Sequence, residues 1–130
     1  MSDRVLVVDD EDDIREIARL SLERLGGWTV VTASSGDEAL ELVAREAPFT
    51  VVLLDVMMPG SDGPATLAQL RSGPLDPETP IVFLTAKVQP ADRRRLRELG
   101  AAGVIAKPFD PTLLSQQLRA VLESGTSEVS

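Results

Sequence analysis

Three runs of four consecutive apolar residues, Val5–Val8, Val51–Leu54 and Ile81–Leu84, are separated by segments whose apolar residues recur every three to four positions. Runs this short cannot cross a membrane, and they suit strands buried on both faces. After the first run, Ile14, Ile17, Ala18, Ser21 and Leu25 recur at helical spacing as far as Gly26-Gly27. Trp28 to Ala33 is β-branched at four positions and predicts a second strand. Ser35 and Glu38 are spaced as a capping box for a helix through Leu40, Val43, Ala44 and Ala47, which Pro48 ends. Beyond the third strand, the loop Asp55–Gly63 leads to a helix over about Pro64–Arg71, and Ser72–Pro80 connects it to the fourth strand. Pro90 can open a helix with Leu96 and Leu99 inward, which Gly100 stops before a short fifth strand, Gly103–Ala106. Asp110 and Pro111 are placed to start a last helix with Leu114, Gln117, Leu118 and Val121 on one face. Five strands alternating with five helices predict a doubly wound α/β fold, because each parallel crossover needs a helix and a parallel sheet needs both faces covered.

The composition narrows what such a fold can do. With 130 residues, 43% hydrophobic and 26% charged, one self-sufficient domain is expected, and residues 124–130 read as a frayed polar tail. There is no cysteine, so disulfides and thiolate chemistry are excluded, and there is no histidine, so His-ligated zinc and serine–histidine catalysis are too. A formal net charge of −8 repels nucleic-acid backbones, so direct nucleic-acid binding is not expected. Neither a signal-like opening nor a membrane span is visible, so a cytoplasmic location is expected.

In open α/β sheets ligands bind beyond the carboxyl ends of the strands. Asp9 and Asp10 follow strand one, Asp55 follows strand three, Thr85 follows strand four and Lys107 follows strand five. Each alone reads as a helix cap, a turn residue or a surface lysine; four strand ends supplying compatible groups point to one site. Crowded carboxylates call for a lysine partner or a hard cation, and Mg²⁺ takes six oxygens at about 2.1 Å. Asp10 and Asp55 are the expected direct ligands, with the Met57 carbonyl as a third and Asp9 acting through water. A carboxylate beside such a cation can attack phosphorus without a general base, and Asp55 is best placed to do so. Lys107 and the Thr85 hydroxyl would hold phosphoryl oxygens, supported by the Ala86 and Met57 amides.

The ordered motifs Val7-Val8-Asp9-Asp10, Leu54-Asp55-Val56-Met57-Met58-Pro59-Gly60 with Asp62-Gly63, Leu84-Thr85-Ala86 and Lys107-Pro108-Phe109 resemble those of two-component response-regulator receiver domains. The resemblance spans residues 4 to about 123 and implies a receiver domain over 1–123 with a flavodoxin-like strand order 2-1-3-4-5. It makes Asp55 the phosphoacceptor, Asp9 and Asp10 the acidic pocket, Thr85 the switch hydroxyl and Lys107 the phosphate-binding lysine. The implied donor is a sensor histidine kinase or histidine phosphotransfer protein. The implied output is a surface formed by helix 4, strand 5 and helix 5, on a monomer or weak dimer. It also raises the expectation of a cis peptide between Lys107 and Pro108.

The chain departs from the family pattern in two respects. Val104 stands where many members carry Tyr or Phe, which puts a ring-flip switch in doubt, and Ala101-Ala102-Gly103 replaces an acidic pair used in one subfamily's dimers. The resemblance places Met57 and Lys87 beside the path of a hydrolytic water, where neither a thioether nor an ammonium can act as a base, so slow self-dephosphorylation is expected. The alternatives are an aspartate-nucleophile phosphohydrolase, which would want a second acid in Asp55-Val56-Met57, and a flavin protein, which would want aromatic stacking partners. Arg93, Arg94, Arg95 and Arg97 form a basic run that reads either as a solvated helical face or as a surface for an anionic partner. No effector segment follows residue 123, so a stand-alone regulator or an excised domain is expected.

Overall fold

A computed structural model describes residues 3–46, 48–58, 61–86 and 89–124. The chain runs β1 (Arg4–Val8), α1 (Asp12–Gly26), β2 (Thr29–Ala33), α2 (Gly36–Glu46), β3 (Val51–Asp55), α3 (Gly63–Ser72), β4 (Ile81–Thr85), α4 (Pro90–Glu98), β5 (Gly103–Ala106) and α5 (Leu114–Ser124). The five strands form one parallel sheet in the order β2-β1-β3-β4-β5. The expected doubly wound architecture and strand order are both present. The chain reverses direction across the sheet between β1 and β3, so the ends of those strands flank the switch point.

Each central strand is buried on both faces and divides its side chains between two cores. Leu6, Val8, Val52, Leu54, Ile81 and Phe83 pack with Ala39, Val43, Leu67, Leu70 and Leu96 of α2, α3 and α4. Val5, Val7, Leu53, Val82 and Leu84 pack on the other face with Ala18 and Leu22 of α1 and Leu114 and Leu118 of α5. A strand's period of two forces this division, and it explains why the strands read as unbroken apolar runs.

Several local readings are corrected. Leu25 is 61% exposed and Ile17 41%, because α1 turns Ala18, Ser21 and Leu22 toward the sheet. Leu99 lies just past α4 and is exposed, and Gln117 faces solvent on α5. Trp28 is buried but precedes β2, with its Nε1 donating to Ser115 Oγ at 3.1 Å. The last helix begins at Leu114, three residues later than Pro111. Asp110 instead caps a preceding turn, accepting from the Thr112 amide at 2.9 Å. Ser35 caps α2 as expected, accepting from the Glu38 amide at 3.1 Å, but Glu38 reaches back to the Ser34 amide rather than that of Ser35. That bond holds the Glu38 carboxyl below its ordinary pKa. Gly27 takes the left-handed conformation, φ 72°, that closes α1, a conformation costly for a residue with a Cβ. Ala47 lies outside the described residues.

Candidate functional site

The strands deliver the site residues by register. Val8 pairs with Leu54, Asp55 with Leu84 and Thr85 with Ala106, so the residues at or just beyond these positions meet at one edge of the sheet. Asp55 and Thr85 are the last residues of β3 and β4 rather than the first of the loops, which buries both side chains. The Lys107 amide donates to the Thr85 carbonyl at 2.9 Å, tying the lysine to the end of β4, and the Lys107–Pro108 bond is cis, as expected.

The loop after β3 is more ordered than a plain connector. Met57–Met58 pairs antiparallel with Ser61–Asp62, and Asp62 then caps α3 by accepting from the Ala65 amide at 2.7 Å. Gly63 is required by close approach. A Cβ there would stand 2.6 Å from the Asp55 carbonyl oxygen and 2.8 Å from the Phe83 ring, far inside contact distance. The start of α3 is thereby held against the end of β3.

Asp9, Asp10 and Asp55 each offer a carboxylate oxygen within 4.8 Å of the others. Asp9 and Asp55 are buried, and Asp10 lies at the more exposed edge. Lys107 Nζ stands 2.9 Å from Asp9 Oδ2 and 3.3 Å from Asp55 Oδ1. The Glu11 amide donates to Asp9 Oδ1 at 2.9 Å and the Met57 amide to Asp55 Oδ1 at 3.3 Å. Burial, and after it the charge of Asp9, push the Asp55 carboxyl up to about 6, while Lys107 and the Met57 amide pull the other way. Burial also works against the Lys107 charge, but its hydrogen bonds and ion pairs, those with Asp9 foremost, hold its pKa above the ordinary value.

Lys107 by itself therefore does not neutralise the three carboxylates. The donors are hard carboxylate oxygens with no nitrogen or sulfur among them, a set that fits a hard divalent cation such as Mg²⁺. Asp9, Asp10, Asp55 and Lys107 come together as the sequence predicts, with Thr85 on the adjoining strand. Beside Thr85 a cavity of about 180 Å³ opens between Met57 and the α4 residues Asp92, Arg95 and Leu96. Met57 is 63% exposed, so its side chain does not cover the site as apolar bulk, and Lys87 lies outside the described residues. Val104 is buried in the same core as Leu96.

Two participants are not legible in the sequence. Glu11 Oε1 lies 3.4 Å from Lys107 Nζ, and Arg15 donates to the Asp9 carbonyl at 2.8 Å. Both read locally as ordinary first-turn residues of a helix, and the acidic neighbourhood of Asp10 was the only available hint.

A doubly wound α/β domain with a carboxylate–lysine pocket at its switch point defines a phosphoryl-handling signalling fold rather than a flavin site. The family description response regulator receiver domain matches residues 5–119, and the chain belongs to that family. It is 46% identical over 120 residues to the probable transcriptional regulator ycf27 of Guillardia theta, covering 92% of this chain and 45% of that protein. It is 42% identical over 122 residues to the alkaline phosphatase synthesis transcriptional regulatory protein PhoP of Bacillus subtilis (strain 168), covering 94% of this chain and 49% of that one. The chain thus spans about half the length of the curated relatives it matches. Among solved structures, the chemotaxis response regulator CheY4 of Vibrio cholerae superposes with a TM-score of 0.85 at 35% identity, covering 93% of this chain and 99% of that one. The chain is a phosphoacceptor module of two-component signalling. No helix among the described residues is long and apolar enough to cross a membrane.

Proposed function

We propose that Asp55 accepts the phosphoryl group. The observation that carries this reading is its buried carboxylate at the end of β3, 3.3 Å from Lys107 Nζ and grouped with Asp9 and Asp10. The donor is a phosphohistidine on a partner, a sensor histidine kinase or histidine phosphotransfer protein, since this chain has no histidine. An Asp55 oxygen bonds to phosphorus as the P–N bond breaks, and the imidazole leaves with the electron pair. Lys107 pairs with one phosphoryl oxygen and the Thr85 hydroxyl donates to another, with the Ala86 and Met57 amides assisting. Asp10, Asp55 and the Met57 carbonyl would hold Mg²⁺ directly and Asp9 through water. When bound, the ion neutralises the charge gathered by phosphate and carboxylates.

The domain, proposed to span residues 1–123, acts only on its own phosphoryl group, and Asp55-Val56-Met57 lacks the second acid that a phosphohydrolase would want. Its response passes to the face formed by α4, β5 and α5. The relatives named as transcriptional regulators support an output carried by an effector outside these residues. With Val104 in place of an aromatic ring, this position has no ring to flip when the domain switches.

The test is incubation with Mg²⁺ and acetyl phosphate followed by intact mass measurement. One phosphoryl adduct on the wild type and none on Asp55→Asn is the expected result. An unlabelled wild type, under conditions that label a CheY-type control, overturns the reading.

A further inference from the structure

Glu11 occupies the N-cap position of α1, yet its side chain makes no capping hydrogen bond. Its amide is held by Asp9 Oδ1 at 2.9 Å, and its carbonyl accepts from the Arg15 amide at 3.1 Å. With the backbone fixed at both ends, the side chain is directed across the sheet edge, placing Oε1 3.4 Å from Lys107 Nζ, 96 residues away in sequence. The Glu11 side chain is 60% exposed, whereas those of Asp9 and Asp55 are buried. Lys107 therefore faces two buried carboxylates inside the pocket and one exposed carboxylate at its mouth.

We propose that Glu11 is a specificity-determining residue that selects phosphodonors by charge, an inference that rests on Asp55 being the phosphoacceptor. A phosphoryl group reaching Asp55 must come within reach of Lys107, and Glu11 sets a fixed negative charge on the solvent side of that lysine. Asp9 and Asp10 add to the acidity of the pocket but lie among the groups a bound cation offsets. Glu11 stands at the rim, where its field acts on the approaching donor. Repulsion scales with the donor's charge and is screened by salt. Acetyl phosphate carries about two negative charges near neutral pH. Phosphoramidate, with a protonated nitrogen, carries one fewer. In both reactions an Asp55 oxygen bonds to phosphorus and the leaving group, acetate or ammonia, departs with the electron pair of the broken bond. Glu11 therefore penalises the more highly charged small donor.

The experiment compares labelling rates of wild type, Glu11→Gln, Glu11→Lys and Asp13→Asn with Mg²⁺ and either donor, at low and high ionic strength. Asp13 is an exposed first-turn acid two residues further on, and its replacement removes the same charge without touching Lys107. Glu11→Gln is expected to speed labelling by acetyl phosphate several-fold, phosphoramidate less, and Glu11→Lys to widen the difference. At high salt the donor ratios of wild type and the Glu11 variants should converge, and at low salt Asp13→Asn should change the ratio much less than Glu11→Gln. The contact itself is read in metal-free protein from the side-chain ¹⁵Nζ resonance of Lys107, which Glu11→Gln should shift and Asp13→Asn should leave in place. A donor ratio unchanged in both Glu11 variants, an equal effect on both donors, or an equal effect of Asp13→Asn overturns the proposal. A wild type labelled by neither donor overturns the assignment of Asp55 instead.

Discussion

Among single residues, Asp55 carries a tension that has a measurable sign. Burial, with the charge of Asp9 beside it, raises its pKa to about 6 from the ordinary 3.8, and Lys107 offsets only part of that. The folded metal-free protein then binds this proton more tightly than the unfolded chain, so stability falls as pH rises from about 4 to about 6. Asp55→Asn should be more stable than wild type by on the order of 1–3 kcal/mol at neutral pH with a chelator present, as read from urea midpoints. The advantage should shrink as pH falls toward 4. Mg²⁺ binding should separate the other two acids. Asp10→Asn loses a direct ligand and should weaken affinity by about tenfold or more, while Asp9→Asn should cost less. Equal losses in a calorimetric titration would remove the distinction. The lifetime of the aspartyl phosphate belongs to this scale too. Met57 cannot orient a hydrolytic water, so replacing Met57 with Asn and Lys87 with Glu should speed its decay several-fold, and an unchanged rate would clear both residues of any role.

Elements matter here mainly through their ends. The junction from β3 to α3 combines the Asp62 cap with a glycine that meets the Asp55 carbonyl, so the backbone carrying the phosphoacceptor is braced by the helix that follows. Gly63→Ala must push that backbone or the Phe83 ring aside and should cost about 2 kcal/mol or more, with a matching loss of labelling at Asp55. A control, Asp62→Ala, removes only the cap and should cost about 1 kcal/mol with smaller effect on labelling. Thermal melts and labelling rates on the same two variants would distinguish the brace from the cap. At the opposite end of the molecule, Trp28 links the start of β2 to α5 through Ser115 and a stacked Arg119, whose guanidinium lies 4.2 Å from the ring centre.

At the scale of the whole molecule, the two cores share every central strand. Val5 and Val7 face one core while Leu6 and Val8 face the other, so neither face can lose its packing without disturbing the sheet that serves both. A single cooperative transition is expected. Trp28 reports on the α1–α5 side, and Leu70 is fully buried on the opposite side. Leu70→Ala should cost about 2–5 kcal/mol and lower the Trp28 fluorescence midpoint by as much as the far-ultraviolet ellipticity midpoint. Separate midpoints would show that the faces unfold independently.

The alternation of apolar runs with helical periods was enough by itself to determine the doubly wound sheet, because period and burial are properties of neighbouring residues along the chain. It also put Asp9, Asp10, Asp55, Thr85 and Lys107 at strand ends, and the parallel sheet then had to gather them on one edge. The strand order itself came from the resemblance of the motifs, since alternation does not choose among doubly wound orders. Periodicity could not tell which rim of a helix meets the sheet, so Leu25 and Leu99 read as core and stand in solvent. It could not separate Asp9, which is sealed in the pocket, from its neighbour Asp10, which is not. Nor could it find Glu11, whose contact with Lys107 closes across 96 residues. Burial depth, ion pairing and the raised Asp55 pKa all depend on distances between segments remote in sequence, and only the tertiary structure sets those distances.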